Sequence, residues 1–117
     1  MIAIKRAYEP AAKSDGRRFL VDHLWPRGVK KESLQVESWV KIVSPSNALR
    51  QWFKHAPAKW PEFKRKYFAE LDKMPQELQP LLQAARKGKT TLVFSARDTE
   101  HNNAAALKAY LEKELGQ

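Results

Sequence analysis

Three segments of the chain carry the apolar pattern of β-strands. They are residues 2–8, residues 18–24 and residues 90–96, and the last is the richest in β-branched side chains. The second segment holds three consecutive apolar residues at 19–21, which predicts burial on both faces of a parallel or mixed sheet. We expect Pro26 to end this strand, because proline has no backbone N–H for a central ladder.

Four other segments show the apolar repeat of helices, with spacings of i, i+3 and i+4. They are residues 46–55, a segment that begins at Pro61, residues 78–85 and residues 102–115. In the third of these, Pro80 is expected in the first turn and Gly88 just past the end. Residues 29–43 show neither pattern clearly.

The order of these elements predicts one α/β domain over residues 1–117. We expect a small three-layer domain with a short parallel or mixed β-sheet covered by helices. Ligands of such folds bind beyond the carboxyl ends of the strands. Two polar segments, 25–28 and 97–102, are predicted to lie at that edge.

Basic residues outnumber acidic ones by 22 to 13, which gives a formal net charge of +9. The excess lies in residues 1–31, with eight basic and three acidic residues, and in residues 50–73, with seven and three. This distribution favours an anionic partner, although a well-solvated surface without a partner has the same composition.

Several kinds of site are excluded or unsupported. Cysteine is absent, which excludes disulfides, thiolate zinc sites and a cysteine nucleophile. The histidines lack metal-motif spacing and the glycine-rich nucleotide motifs are missing, so no metal is predicted and no cofactor is indicated. No apolar run approaches the roughly 20 residues that span a bilayer, and the N-terminus lacks the order of a secretory signal. We therefore expect a cytoplasmic protein with no membrane partner.

The turn before the last predicted helix is one candidate site. A helix N-terminus exposes unpaired N–H groups and a positive dipole end, both suited to an anion. Asn102 is predicted to contact a ligand there, with Asp98 as a general base and His101 as a general acid or base. Helix capping by Asn102 or Asp98, and a surface role for the histidine, are the structural alternatives.

The segment after the second strand is another candidate. Arg27 carries a planar guanidinium that suits phosphate or carboxylate. Trp25 is predicted to contact the ligand, with covering of the core as the commoner alternative. Asp22 is predicted to be a catalytic carboxylate, or to form a structural ion pair with Arg27 or Arg97.

Ser46 and Arg50, at the start of the helix over residues 46–55, form a second possible anion cradle. The hydroxyl of Ser46 has helix capping as its structural alternative. Downstream, residues 50–67 mix basic and aromatic side chains, a composition typical of surfaces that bind single-stranded nucleic acid. Their rings recur at helical spacing, which favours the core for most of them.

Several strings of residues, taken together, resemble a known family. They are Leu20-Val21-Asp22-His23-Leu24-Trp25-Pro26-Arg27-Gly28-Val29, Ser44-Pro45-Ser46 with Leu49-Arg50 and Trp52-Phe53, Phe63 with Tyr67 and Glu70-Leu71, Thr91-Leu92-Val93-Phe94, and Asp98 with His101-Asn102 and Ala104. In this order they resemble the DUF488 family, in its YeaO-like branch. The resemblance implies a small three-layer α/β fold and a bacterial-type cytoplasmic protein, and it supplies no proven activity.

The chain departs from the pattern of that family at two places. Members usually have arginine where His23 stands, which removes a possible anion contact. They have an aromatic-Ala-Ala-Lys-Asp pattern at residues 94–98, where Arg97 keeps the charge. Longer members carry a Cys-His-Arg element near the last helix, in the region of Asn102 and Asn103, so chemistry of that thiol is not available here.

The preferred hypothesis is a pocket for a small anionic or phosphorylated ligand, with acid/base chemistry left open. Arg27 and Arg50 would hold the anion opposite the start of the last helix, which requires Arg27 and that turn to come together. The alternative is a nucleic-acid-binding module that uses residues 50–73. A third hypothesis is an interaction protein with a tryptophan-rich surface. The oligomeric state and the direction of the first strand stay open.

Overall fold

The computed structural model describes residues 1–116, which fold around a four-stranded parallel sheet. The strands are β1 (Ile2–Arg6), β2 (Arg17–Leu20), β3 (Ser38–Trp39) and β4 (Thr90–Phe94). Their order across the sheet is β1-β4-β2-β3, and every neighbouring pair is parallel. The first strand, whose direction the sequence leaves open, therefore runs with the others. All four carboxyl ends lie at one edge.

Five helices connect and cover these strands. They are α1 (Lys31–Leu34), α2 (Asn47–Phe53), α3 (Trp60–Leu71), α4 (Pro75–Lys87) and α5 (Asn103–Glu114), with 3-10 turns at Lys13–Asp15, Lys41–Val43 and Pro57–Lys59. Side chains cap two of them: the Ser46 hydroxyl accepts from the Leu49 N–H, and the Asn102 carbonyl accepts from the Ala105 N–H. Prolines begin α3 and α4, where a missing N–H costs little.

The main core lies on one face of the sheet. Phe19 and Leu92 point to this face, and the stripes of α2 to α5 pack against them. The helical contributors include Phe53, Phe63, Tyr67, Leu81, Leu107 and Leu111. Because the apolar stripes predicted from the sequence all meet here, this face holds most of the buried apolar surface.

The opposite face has a thinner cover. Leu20 and Val93 pack there with Ala7 and Leu34, under the loop that contains Trp25. The predicted three-layer α/β domain with a parallel sheet is thus confirmed, and its third layer consists of loops and the single turn of α1.

A buried polar cluster anchors this thin layer. Asp15 is 6% exposed and accepts from Lys5 Nζ at 3.1 Å and from Arg18 Nη1 at 2.7 Å. Arg18 also donates to the Leu34 carbonyl, at 2.7 Å from Nη2. The cluster therefore joins the Lys13–Asp15 turn, β2 and α1.

Two predicted boundaries are wrong in informative ways. The second strand ends at Leu20 instead of residue 24, so Asp22 lies in a loop. Pro80 is inside α4 instead of in its first turn, because Pro75 already begins the helix. Gly88 ends α4, as predicted, and its N–H donates to the Ala84 carbonyl. Among residues 1–116, none of the helices has the length and apolar character needed to cross a membrane.

Candidate functional site

A cavity of about 410 Å³ opens at the carboxyl ends of β2 and β4. This volume falls in the range of small-molecule sites, roughly 300–1,000 Å³. Its lining residues are Asp22, His23, Leu24, Pro45, Arg50, Gln51, Phe53, His55, Phe63, Ser95, Ala96, Asn102 and Asn103. Of the predicted site residues, the structure brings together Asp22, Arg50 and Asn102.

Asp22 is half-buried and ties the ends of the two strands together. Its Oδ2 atom accepts from the backbone N–H of Ser95 at 2.9 Å and from the Ser95 hydroxyl at 2.7 Å. The expected ion pair with Arg27 or Arg97 is wrong: among residues 1–116 no basic side chain lies within 4.0 Å of this carboxylate. The reason is that β2 ends before Asp22, which leaves the carboxylate beside the donors of Ser95.

Arg50 contributes a half-buried cation from α2. Its Nε donates to the Pro45 carbonyl at 3.2 Å, and its Nη2 donates to the side chain of Asn47. Within the described part of the chain, no carboxylate lies within 4.0 Å of the guanidinium, and Nη1 makes no hydrogen bond. Within this part of the chain, no carboxylate therefore compensates the positive charge of Arg50, and the N–H groups of Nη1 are available to a ligand.

Two histidines, His23 and His55, also line the cavity. Burial, together with the positive charges of Arg50 and Lys41, holds the pKa of His23 below its ordinary value. His55 follows α2 with a φ of 54°, directly after Lys54 with a φ of 46°. Two successive non-glycine residues in the left-handed region are costly, and such strain tends to occur at functional sites.

Asn102 and Asn103 begin α5 beside the cavity. The Oδ1 atom of Asn102 accepts from the Ala105 N–H at 2.8 Å, and its Nδ2 donates to the Asp98 carbonyl at 2.9 Å. Asn103 Nδ2 donates to the carbonyl of Val21 at 3.1 Å. Capping, the structural alternative for Asn102, is therefore the role that the structure shows.

Asp98 and His101 do not line the cavity. Asp98 Oδ1 accepts from the backbone N–H groups of His101 and Glu100, both at 2.9 Å, and these bonds hold the pKa of Asp98 below its ordinary value. The His101 ring lies 3.0 Å from Asp98 Oδ2 and packs edge-on against Trp60, with ring centroids 5.4 Å apart. The pair instead closes the turn that leads into α5.

Trp25 and Arg27 also lie outside the cavity, so the expected meeting of Arg27 with the start of the last helix is wrong. Trp25 packs on the thin-layer cluster of the opposite sheet face, and its indole N–H donates to the Val29 carbonyl at 2.7 Å. Arg27 is exposed, and its carbonyl accepts from the Tyr8 hydroxyl at 3.2 Å. Packing of the indole carries the part of the loop from Trp25 onward, and Arg27 with it, to that face.

Ser46 lines a second, more open groove of about 680 Å³ instead of the cavity. Its hydroxyl accepts from the Leu49 N–H at 3.2 Å and donates to Glu70 at 2.6 Å, and its own N–H donates to Glu70 at 2.9 Å. The structure thus shows the capping alternative, and the polar groups of Ser46 already have partners.

The basic segment 50–73 keeps its tryptophans packed. Trp52 is half-buried, with Lys59 Nζ 5.0 Å and Lys66 Nζ 4.7 Å from its ring centroid. Trp60 stacks on Phe63 at a centroid distance of 5.5 Å. These rings join the core, as the helical spacing of the sequence indicated.

Several polar lining residues are not among those predicted from the sequence: His23, Gln51, His55, Ser95 and Asn103. Ser95 directly follows β4, so the rule that ligands bind at the carboxyl ends of strands could have indicated it. The position of His55 could not be predicted from the sequence. A left-handed backbone usually occurs at glycine, and this turn contains none. Among residues 1–116, no three His, Cys, Asp or Glu side chains gather as a metal site would require.

Comparison with known proteins places the chain in a family. The family model DUF488-N3i, described as the inactive DUF488-N3 subclade, matches residues 1–117. The chain is 43% identical over 110 residues to uncharacterized protein YeaO of Escherichia coli K12, covering 94% of this chain and 96% of that protein. It is 34% identical over 110 residues to uncharacterized protein Rv3073c of Mycobacterium tuberculosis H37Rv, covering 94% and 92%. No solved structure matches the chain. The expected resemblance is thus confirmed, and the chain belongs to the DUF488 family, in its YeaO-like, inactive DUF488-N3 branch.

Proposed function

We propose that this protein binds a small anionic or phosphorylated ligand in the cavity and does not convert it. The observation that carries the proposal is Arg50, a half-buried guanidinium on the cavity wall with no acidic partner among residues 1–116. An acidic partner stabilises a guanidinium withdrawn from water, because an unpaired charge loses solvation without compensation. A bound phosphate or carboxylate would supply that partner, in a geometry that suits the planar fork.

Binding without turnover is supported by the positions of two of the three predicted catalytic residues, since only Asp22 lines the cavity. Asp98 and His101 bond to each other outside the cavity. The chain has no cysteine that could act as a nucleophile, and the family model that it matches is described as an inactive subclade. A cytoplasmic location, expected from the sequence, stays a prediction that fits a small-ligand binder.

The nucleic-acid alternative has less support from the geometry. Base stacking needs a free aromatic face, and two lysine side chains already lie near the Trp52 ring. The basic side chains of residues 50–73 can still attract phosphates weakly. The tryptophan rings of this segment already pack against neighbouring side chains, so they do not offer a free face for base stacking.

The test is calorimetric titration with phenyl phosphate and with hydrocinnamate, which present the two kinds of anion on an apolar body. We compare wild type, Arg50→Gln and Arg27→Gln, the last being a matched loss of one arginine outside the cavity. Arg50→Gln should weaken binding at least about tenfold, as expected for a lost hydrogen bond to a charged group, and Arg27→Gln should change affinity less than about twofold.

Equal losses in the two variants, or no binding of either anion to the wild type, would refute the proposal. Thermal melts of both variants establish that a loss of binding is not a loss of folding, since Arg50 also donates to the Pro45 carbonyl. Arg50→Lys keeps the charge without the planar fork and should recover part of the affinity.

A further inference from the structure

We infer that the ligand also carries a hydrogen-bond donor, an ammonium or amine group, which the free oxygen of Asp22 accepts. This inference rests on the proposed function, because it concerns the other end of the same bound molecule. It specifies the ligand class as a small zwitterion with an apolar body, of the kind that apolar amino acids represent.

The first observation is that only half of the Asp22 carboxylate is used. Oδ2 accepts both bonds from Ser95, at 2.9 and 2.7 Å, whereas Oδ1 accepts none from residues 1–116. The side chain is half-buried and lines the cavity. A carboxylate offers about four acceptor positions, so an unused oxygen beside a cavity is a ready acceptor for a ligand.

The second observation is that the cavity contains two opposite charges that do not pair. Asp22 and Arg50 both line it, yet no oxygen of the first lies within 4.0 Å of a nitrogen of the second. A ligand that is only an anion is attracted by Arg50 and repelled by Asp22. A ligand with both groups compensates both charges at once.

The third observation is the apolar character of the remaining wall. Leu24, Phe53, Phe63 and Ala96 face the same cavity, whose volume of about 410 Å³ suits one small molecule. These side chains offer contacts to the body of the ligand, while the two charges fix its orientation.

The experiment compares compounds that differ only in the amine. L-Phenylalanine, whose ammonium and carboxylate groups are close together, is compared with hydrocinnamate. Para-(aminomethyl)benzoate, whose ammonium and carboxylate groups are separated by a ring, is compared with para-toluate. In at least one pair, the zwitterion should bind the wild type about tenfold more tightly than its amine-free analogue, the gain expected for a charge-assisted hydrogen bond.

Asp22→Asn is the decisive variant, because the asparagine carbonyl can still accept from Ser95 while the charge is lost. It should reduce the preference for the zwitterion to about twofold or less, without weakening the amine-free analogue. Glu32→Gln, which removes an exposed carboxylate of α1 outside the cavity, serves as the control and should keep the full preference.

Equal affinity within both pairs in the wild type overturns the inference, whether or not Asp22→Asn folds well. A preference that survives Asp22→Asn overturns it as well. If the amine-free anions bind through Arg50 without any gain from the amine, only this inference fails. If none of the compounds and no phenyl phosphate binds, the proposed function fails and takes this inference with it.

Discussion

Asp22 and Ser95 join the carboxyl ends of two neighbouring strands through a single carboxylate oxygen. The Oδ2 atom of Asp22 accepts from the Ser95 N–H at 2.9 Å and from its hydroxyl at 2.7 Å. Because the donors come from the residue after β4 and the acceptor from the loop after β2, this contact joins two parts of the cavity wall. Among residues 1–116, the second oxygen of Asp22 accepts no hydrogen bond.

Ser95→Ala removes the hydroxyl donor and retains the backbone one. We expect a loss of about 1–2 kcal/mol in the free energy of unfolding, because the bond to an ionised acceptor exceeds a neutral one. Urea unfolding of the variant and wild type measures this difference. An unchanged unfolding midpoint would mean that the hydroxyl bond does not hold the two strand ends together.

Two adjacent threonines in β4 should respond in opposite directions to the same change. Both are 1% exposed, but the Thr91 hydroxyl donates to the Asp15 carbonyl at 2.7 Å, whereas the Thr90 hydroxyl has no partner among residues 1–116. Thr90→Val should raise stability by about 1 kcal/mol, because it removes a buried unsatisfied polar atom without changing shape. Thr91→Val should lower it by about 1–2 kcal/mol. Urea midpoints that shift in the same direction for both variants would refute this difference.

The buried Asp15 cluster predicts how stability depends on pH. Burial alone would raise the pKa of Asp15, but hydrogen bonds from the Ala12 backbone, Lys5 and Arg18 outweigh it and hold the pKa below its ordinary value. The stabilisation is therefore complete above the unfolded value of about 3.9 and is lost as pH falls through the lower folded value.

Asp15→Asn should thus reduce stability at neutral pH and flatten its decline below about pH 4. Asp15→Ala should cost about 3–5 kcal/mol at neutral pH, because Arg18, itself 5% exposed, loses its only carboxylate partner among residues 1–116. The control is Glu37→Gln, which breaks the exposed pair with Arg17 and should change stability little. Urea unfolding across pH tests the three variants, and a loss of stability in Glu37→Gln as large as in the Asp15 variants would show that burial of the Asp15 cluster is not decisive.

Gly16 should be far less replaceable than Gly28, although both have positive φ angles of 66° and 77°. A Cβ atom on Gly16 would lie 2.2 Å from the Lys89 carbonyl oxygen, whereas one on Gly28 would meet nothing within 4 Å. Gly28→Ala should cost about 1–2 kcal/mol through its left-handed backbone alone. Gly16→Ala should cost more than twice as much, because the backbone of Lys89 must move. Thermal or urea unfolding of the two variants makes the comparison, and equal costs would contradict it.

Much of the fold follows from local signals in the sequence. The apolar runs place the cores of β1, β2 and β4, and Pro61 marks the start of its helix because its missing N–H group is tolerated there. The rule that ligands bind at the carboxyl ends of strands indicates residues 97–102, of which Asn102 lines the cavity, but it also indicates residues 25–28, which do not.

The remaining features depend on long-range packing that no local pattern encodes. The loop after β2 lines the cavity with Asp22, but from Trp25 onward it packs on the thin layer, so Arg27 lies away from the cavity. His55 reaches the cavity wall through a left-handed turn without glycine. The sequence predicts Asp22 within the second strand and an arginine as its partner. The strand ends at Leu20, so Asp22 lies in a loop and accepts its hydrogen bonds from Ser95.

The cavity as a ligand site is tested most directly by mapping amide chemical shifts in isotope-labelled protein as phenyl phosphate is added. We predict that the largest changes fall on Arg50, Phe53 and Ser95, and that Arg50→Gln abolishes them while Arg27→Gln does not. Changes centred on residues 64–66 instead, or an unchanged spectrum at saturating anion, would contradict the assignment of the cavity as the binding site.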